Sequence, residues 1–296
     1  MILDEVVAVI RRQGGALLQS TLAGDEALAP SEMAHRGDFG LFGPASSTWR
    51  VHGDSAMLIG GLRSLMLQTL HPLAMAGVAE HSDYRHDPQG RLQRTGRFIG
   101  ATTFGNTETA ERMIAMVRAV HTRVEGTAPD GRPYSANDPH LLAWVHVTEV
   151  DSFLSAYNRY GGGRLTDAEQ DRYVAEMADV GHRLGAVDLP TDRAGLAAAL
   201  EAFRPECRYD DQAKETMRFL ISPPVPLAVK GPYGLMAAAA IGLLPRWAQH
   251  MLRLPVPPGV EPLAIRPTVT VMARAAGWFM SGPRDGDVAD RMLIEA

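Results

Sequence analysis

Apolar residues recur at intervals of three and four along almost all of these 296 residues, whereas runs alternating apolar and polar residues are nearly absent. The first spacing lines one face of a helix, and a half-buried strand requires a period of two. The sequence therefore predicts an all-α fold, a multi-helix bundle. Helices are expected at roughly 2–20, 55–80, 90–103, 107–126, 139–158, 166–184, 192–203, 206–221, 232–253 and 262–281. Thr166 followed by Glu169 has the form of a capping box and fixes one helix start. The stretch Pro129-Asp130-Gly131-Arg132-Pro133 predicts a turn that reverses the chain and sets two helices side by side. Three prolines within Ser222–Pro226, and three more at 255, 257 and 258, cannot stay helical and predict stiff connectors. No internal repeat interrupts the pattern, so residues 1–296 are expected to form a single helical domain around one core with a buried cofactor pocket.

Charge and cysteine usage exclude several classes of function. A net charge of −5 gives no basic footprint for nucleic acid. The single cysteine, Cys207, can form neither an internal disulfide nor a Cys-rich metal site, so any metal must depend on His, carboxylate or a cofactor ring. Met1-Ile-Leu-Asp-Glu lacks a basic signal region, which predicts a cytoplasmic protein. The most membrane-like run, Leu235 to Leu244, is about half of the roughly 20 residues that a spanning helix needs. It is expected to be a core helix, and no transmembrane segment is predicted.

Two apolar stripes carry groups that could do chemistry. Ile114, Val117, His121 and Val124 fall 3, 4 and 3 apart, so His121 points inward, either as a core histidine or as a metal ligand. Leu142, His146, Glu149 and Phe153 fall 4, 3 and 4 apart, which puts a histidine and a carboxylate on one buried face. Burying Glu149 is costly unless it pairs with His146 or both face a ligand. Arg91, Arg94 and Thr95 share a helical face that suits an anion or remains a solvated basic patch. Adjacent Gly60 and Gly61 permit close approach of a backbone or a flat cofactor. His71, beside Pro72 at an expected kink, and His81, in an expected loop, rank below these.

An ordered set of short motifs adds a resemblance. It runs through Gly60-Gly61-Leu62-Arg63, Leu67-Gln68-Thr69-Leu70-His71-Pro72, His81-Ser82, Asp87-Pro88, Arg91-Leu92-Gln93-Arg94-Thr95, Phe104-Gly105, Val117-Arg118-Ala119-Val120-His121 and Trp144-Val145-His146. This order resembles the catalytic domain shared by the MpaB oxygenase and the rubber oxygenase called latex-clearing protein, in a bacterial branch apart from the rubber enzymes. The likeness is strongest over about residues 50–185, with Leu243-Leu244-Pro245 matching more loosely.

The resemblance implies a haem b-dependent oxygenase acting with O2 on a small hydrophobic, isoprenoid-like substrate. It carries the proximal iron ligand over to His121, through Nε2. The distal motif carries over to Arg91, Arg94 and Thr95, with Arg94 standing where the rubber enzymes have Lys. Arg91, Thr95 and His146 become candidate distal donors, and Arg94 or Arg63 candidate partners of the haem propionates. Two alternatives remain: a non-haem iron oxidase using His121, His146, Glu149 and Glu176, and a non-catalytic binder of a hydrophobic ligand lined by Trp144, Met113 and Met116.

Overall fold

The computed structural model describes residues 27–224, 226–256 and 265–271. The helix expected at 2–20 lies outside the described residues, as does most of the one expected at 262–281. The regular secondary structure of the described residues is almost entirely helical, as the spacing predicts. Its elements are α1 (Ser47–His52), α2 (Met57–Gln68), α3 (Pro72–His81), α4 (Pro88–Phe104), α5 (Thr107–His121), α6 (Pro139–Tyr160), α7 (Asp167–Leu184), α8 (Arg193–Phe203), α9 (Asp211–Ile221), α10 (Leu227–Leu243) and α11 (Arg246–Met251). Between α5 and α6 stands a two-stranded antiparallel ribbon, β1 (Glu125–Thr127) with β2 (Pro133–Ser135).

Local chemistry places the boundaries. The Thr166 hydroxyl accepts from the Glu169 backbone N–H, and the Glu169 carboxylate accepts from the Thr166 N–H, closing the capping box at α7. Asn106, Asp192 and Asp210 cap α5, α8 and α9 in the simpler one-bond form. The single helix expected over 55–80 is two helices, because Pro72 cannot continue α2 and instead occupies the first turn of α3. Likewise the helix expected over 232–253 divides at Pro245 into α10 and α11, although α10 runs through Pro232.

The largest departure follows α5. The helix expected to reach 126 stops at His121, and the chain enters the ribbon, where Tyr134 is buried beside Gly77 of α3. The turn at 129–133 does reverse the chain, but between strands. As a result α5 and α6 are not set side by side; α7 packs against both.

Helix α6 is central and packs against α2, α7, α8 and α10. Its closest partner is α2, and Gly60 is the reason. A Cβ at Gly60 would lie 2.8 Å from Phe153 Cδ1, 3.0 Å from Phe153 Cα and 3.0 Å from the Ser152 carbonyl oxygen. The glycine pair thus serves backbone approach. One turn on, buried Arg63 fastens the same seam: its Nε donates to the Leu243 carbonyl at 2.9 Å and one Nη to Ser152 Oγ at 2.7 Å. Its other Nη pairs with Asp151 at 2.7 Å, off the alignment of a hydrogen bond. Among the described residues, no helix is long and apolar enough to cross a membrane.

This seam makes a sharp prediction. Gly60→Ala should destabilise the fold by about 1–3 kcal/mol through overpacking. Gly61→Ala, whose Cβ meets nothing nearer than Phe153 Cε1 at 3.9 Å, should cost much less. Urea denaturation of the two variants tests this, and equal losses would refute the assignment of the close approach to Gly60.

Candidate active site

Helices α4, α5, α6 and α7 surround a cavity of about 70 Å³. Phe98, Ile99 and Thr102 come from α4, His121 from the last position of α5, and Met177, Val180 and Gly181 from α7. From α6 comes the whole predicted stripe, Leu142, His146, Glu149 and Phe153. The histidine of the first stripe and the whole of the second therefore meet at one apolar cavity, with α7 closing the gap between them. Gly181 allows that closure, since a Cβ there would stand 2.3 Å from Leu189 Cδ1 and 2.8 Å from His146 Nδ1.

Burial sets the protonation of every group at this cavity. His146 is held down to about 4, by burial and then by the charge of His182. Its Nε2 is buried and has no hydrogen-bond partner. Glu149 is pushed up to about 7 by burial, and it too has no hydrogen-bond partner among the described residues. These two do not hold each other. His121 is lowered by burial, and its buried Nδ1 lacks a partner, so no protein acceptor among the described residues orients that ring. Unpartnered buried nitrogens are uncommon in proteins, and these two belong to residues that line the cavity.

A third histidine lines the same space without any warning in the sequence. His52 ends α1, a helix of six residues, too short to show a periodic face. Its Nδ1 meets Thr103 Oγ1 at 2.8 Å and its Nε2 meets the Tyr173 hydroxyl at 3.0 Å. With both nitrogens occupied and its pKa driven to about 3 by burial, His52 is a neutral wall of the cavity. Tyr173 is raised well above its ordinary value by burial and by the nearby carboxylates Glu149 and Glu176.

The remaining candidates stand away from the cavity. Arg91 donates to Ser82 Oγ at 2.7 Å and lies against the Tyr84 ring. Arg94 is exposed and pairs with Asp87 at 3.3 Å, and the Thr95 hydroxyl donates to the Arg91 carbonyl at 3.0 Å. They nevertheless extend the α4 face of Phe98, Ile99 and Thr102 outward, Thr95 by one turn and Arg91 by two. Arg63 is committed to the α2–α6 seam. Glu176 accepts from Thr48 N and Oγ1 at 2.8 and 2.7 Å, anchoring the start of α1. His81 lies against the Glu125 carbonyl and the Tyr134 hydroxyl.

Distances then separate two kinds of metal chemistry. No three of His52, His121, His146 and Glu149 bring ligand atoms within 4.8 Å of one another; among the described residues only His71, His140 and Glu206 do so.

Residues 49–278 match the family model described as ER-bound oxygenase mpaB/B'/Rubber oxygenase, catalytic domain. The chain belongs to this family. No curated protein and no solved structure matches it. Membership in the MpaB/rubber-oxygenase family makes this an oxygenase catalytic domain, an oxidoreductase whose reaction takes O2 and an oxidisable substrate. The match also reaches past residue 185, the limit of the strong motifs, to take in α8 through α11.

The raised pKa of Glu149 has a measurable sign. Because the folded value, about 7, lies above the ordinary 4.5, the protonated carboxyl contributes stability below about 4.5 that is lost as pH rises through 7. Glu149→Gln cannot ionise, so its stability relative to wild type should increase from pH 5 to pH 8, by up to about 3 kcal/mol. His146, shifted the other way, loses its contribution as pH falls from 6.5 toward 4, but does so in both proteins. A difference that stays flat with pH would show that Glu149 titrates normally.

Proposed function

We propose that this oxygenase domain holds haem b in the cavity between His121 and His146 and oxidises a small hydrophobic, isoprenoid-like molecule there. The observation that carries the reading is the spread of the potential ligands. A non-haem iron centre needs two histidines and a carboxylate converging on one point. The cavity groups line an apolar space without converging; a haem, whose porphyrin brings its own nitrogens to the iron, would need only one imidazole from the chain, which His121 would supply. The wall is chiefly aliphatic and aromatic, as in ligand pockets, and polar groups enter it at few points.

Haem would supply the oxygen chemistry; the chain supplies ligation, orientation and proton control. Burial keeps the His121 imidazole neutral at physiological pH, leaving Nε2 a lone pair for iron, with Nδ1 as its buried N–H. His146 presents an unpartnered Nε2 from the neighbouring helix, able to donate to or accept from an oxygen atom in the cavity. Glu149, one turn further along α6, titrates near neutral pH and can give or take a proton as a general acid–base group. Thr95 and Arg91 sit about 6 and 12 Å along α4 from Ile99 by helical rise. With Arg94 they lie beyond the cavity lining, where guanidinium groups would suit carboxylates. Arg63 is left out of that role because its donors are taken within the α2–α6 seam.

Protein produced with adequate iron and haem precursor should show a Soret band at one haem per chain. His121→Ala should lose it while keeping its helical circular dichroism, since only one side chain in a large core is shortened. Arg94 has no lone pair for iron, so the ferric protein should give a high-spin paramagnetic resonance signal unless His146 occupies the sixth position. Iron bound without porphyrin, or a Soret band unchanged in His121→Ala, would overturn the assignment.

A further inference from the structure

Outside the cavity, three potential metal ligands from distant parts of the chain meet at one point. His71 caps α3, His140 lies in the first turn of α6, and Glu206 closes the short turn 204–206 that follows α8. His71 Nε2 is 3.3 Å from Glu206 Oε2, and His140 Nε2 is 2.9 Å from both carboxylate oxygens. All three ligand atoms lie within 4.8 Å of one another. A zinc-like ion bonded at about 2.1 Å to tetrahedral N and O ligands sets them about 3.4 Å apart; the His–Glu distances are 3.3 and 2.9 Å, and the two imidazole nitrogens lie within 4.8 Å of each other.

The rings are held for this arrangement by packing as well as by the carboxylate. His71 is 1% exposed and lies against Trp144, with ring centroids 5.9 Å apart. His140 stacks on Phe203 at 4.7 Å. Just past Glu206, the Arg208 N–H donates to the Leu70 carbonyl at 2.7 Å, fastening the turn to the junction of α2 and α3. The neighbouring cation, Arg132, spends its charge on Asp130, to which it donates at 2.9 and 2.7 Å. The neighbouring thiol, Cys207, points at the Phe203 carbonyl and takes no part.

We propose that His71, His140 and Glu206 form a second metal site, separate from the oxygenase cavity, which takes one divalent transition-metal ion of the zinc or ferrous class. Two imidazoles and one carboxylate are a recurrent donor set for such ions, and they leave one or more positions open to water. Binding through Nε2 moves the remaining proton of His71 to Nδ1, which gives up the bond from the Ala74 N–H. At 3.5 Å that bond is at the limit of hydrogen-bond length and is weak. The ion clasps the starts of α3 and α6 to the end of α8. It thereby fixes the end of α6 from which His146 and Glu149 follow.

The full chain, stripped with a chelator and desalted, should take up one equivalent of Zn2+, or of Fe2+ under anaerobic conditions, with a rise in Tm. Bound metal is read by plasma mass spectrometry after gel filtration. His140→Ala, which shortens an exposed side chain, and Glu206→Gln, which keeps a polar group, should each weaken binding by at least about 100-fold, since even the partners of metal ligands are worth 10–100-fold. His121→Ala should bind the ion as wild type does. The Soret band reports on the haem reading independently, so the two can fail separately. Less than stoichiometric uptake, or uptake unchanged in His140→Ala and Glu206→Gln, would sink the proposal.

Discussion

The seam between α2 and α6 is the contact on which the other placements depend. Gly60 brings α2 against the backbone at Ser152 and Phe153, and Arg63 ties that seam to the end of α10. A side chain at position 60 would push the helices apart, and the interior is too closely packed to absorb the shift elsewhere. With α6 fixed on that side, its remaining surface is left to neighbours that include α7 and α8, and the stripe from Leu142 to Phe153 runs from the cavity to the edge of the seam. Rigid elements of this kind position reactive groups better than loops do.

Burial acts on the cavity groups in one chemical direction, favouring the uncharged form of each. It lowers His52, His121 and His146 and raises Glu149, so near neutral pH the site contains neutral imidazoles and a carboxyl close to its midpoint. Neutral imidazole is the form that ligates metal, and a half-ionised carboxyl can act as either acid or base. The histidines also divide by their partners. His52 has both nitrogens occupied by Thr103 and Tyr173, whereas His121 and His146 each keep a buried nitrogen without one. The first is architecture, and the other two are free for a ligand.

Much of the site was legible because helical stripes survive any arrangement of the helices that bear them. The spacings 114/117/121/124 and 142/146/149/153 identified His121, His146 and Glu149, and all three line the cavity. His52 was not legible, since its six-residue helix carries too little sequence to reveal a face. The ribbon at 125–127 and 133–135 was missed because three-residue strands show no usable alternation and their stability comes from tertiary burial of Tyr134. The basic face of Arg91, Arg94 and Thr95 was read correctly as a face, but periodicity has no information about how far along a helix a cavity extends. The part of α4 that lines it begins at Phe98.

The sequence by itself determined that the chain is helical, where most of its helices start, which faces are apolar, and, through its ordered motifs, the oxygenase family to which it belongs. These are properties of local chemistry, of spacing and of short segments read in order. Only the tertiary structure decided that α7 lies between α5 and α6, that His52 joins the cavity, that Arg63 serves packing, and that His71 and His140 meet Glu206. Each of those depends on the approach of residues tens of positions or more apart in the chain. Such approaches are fixed by close contacts like the one at Gly60, which no period in the sequence encodes.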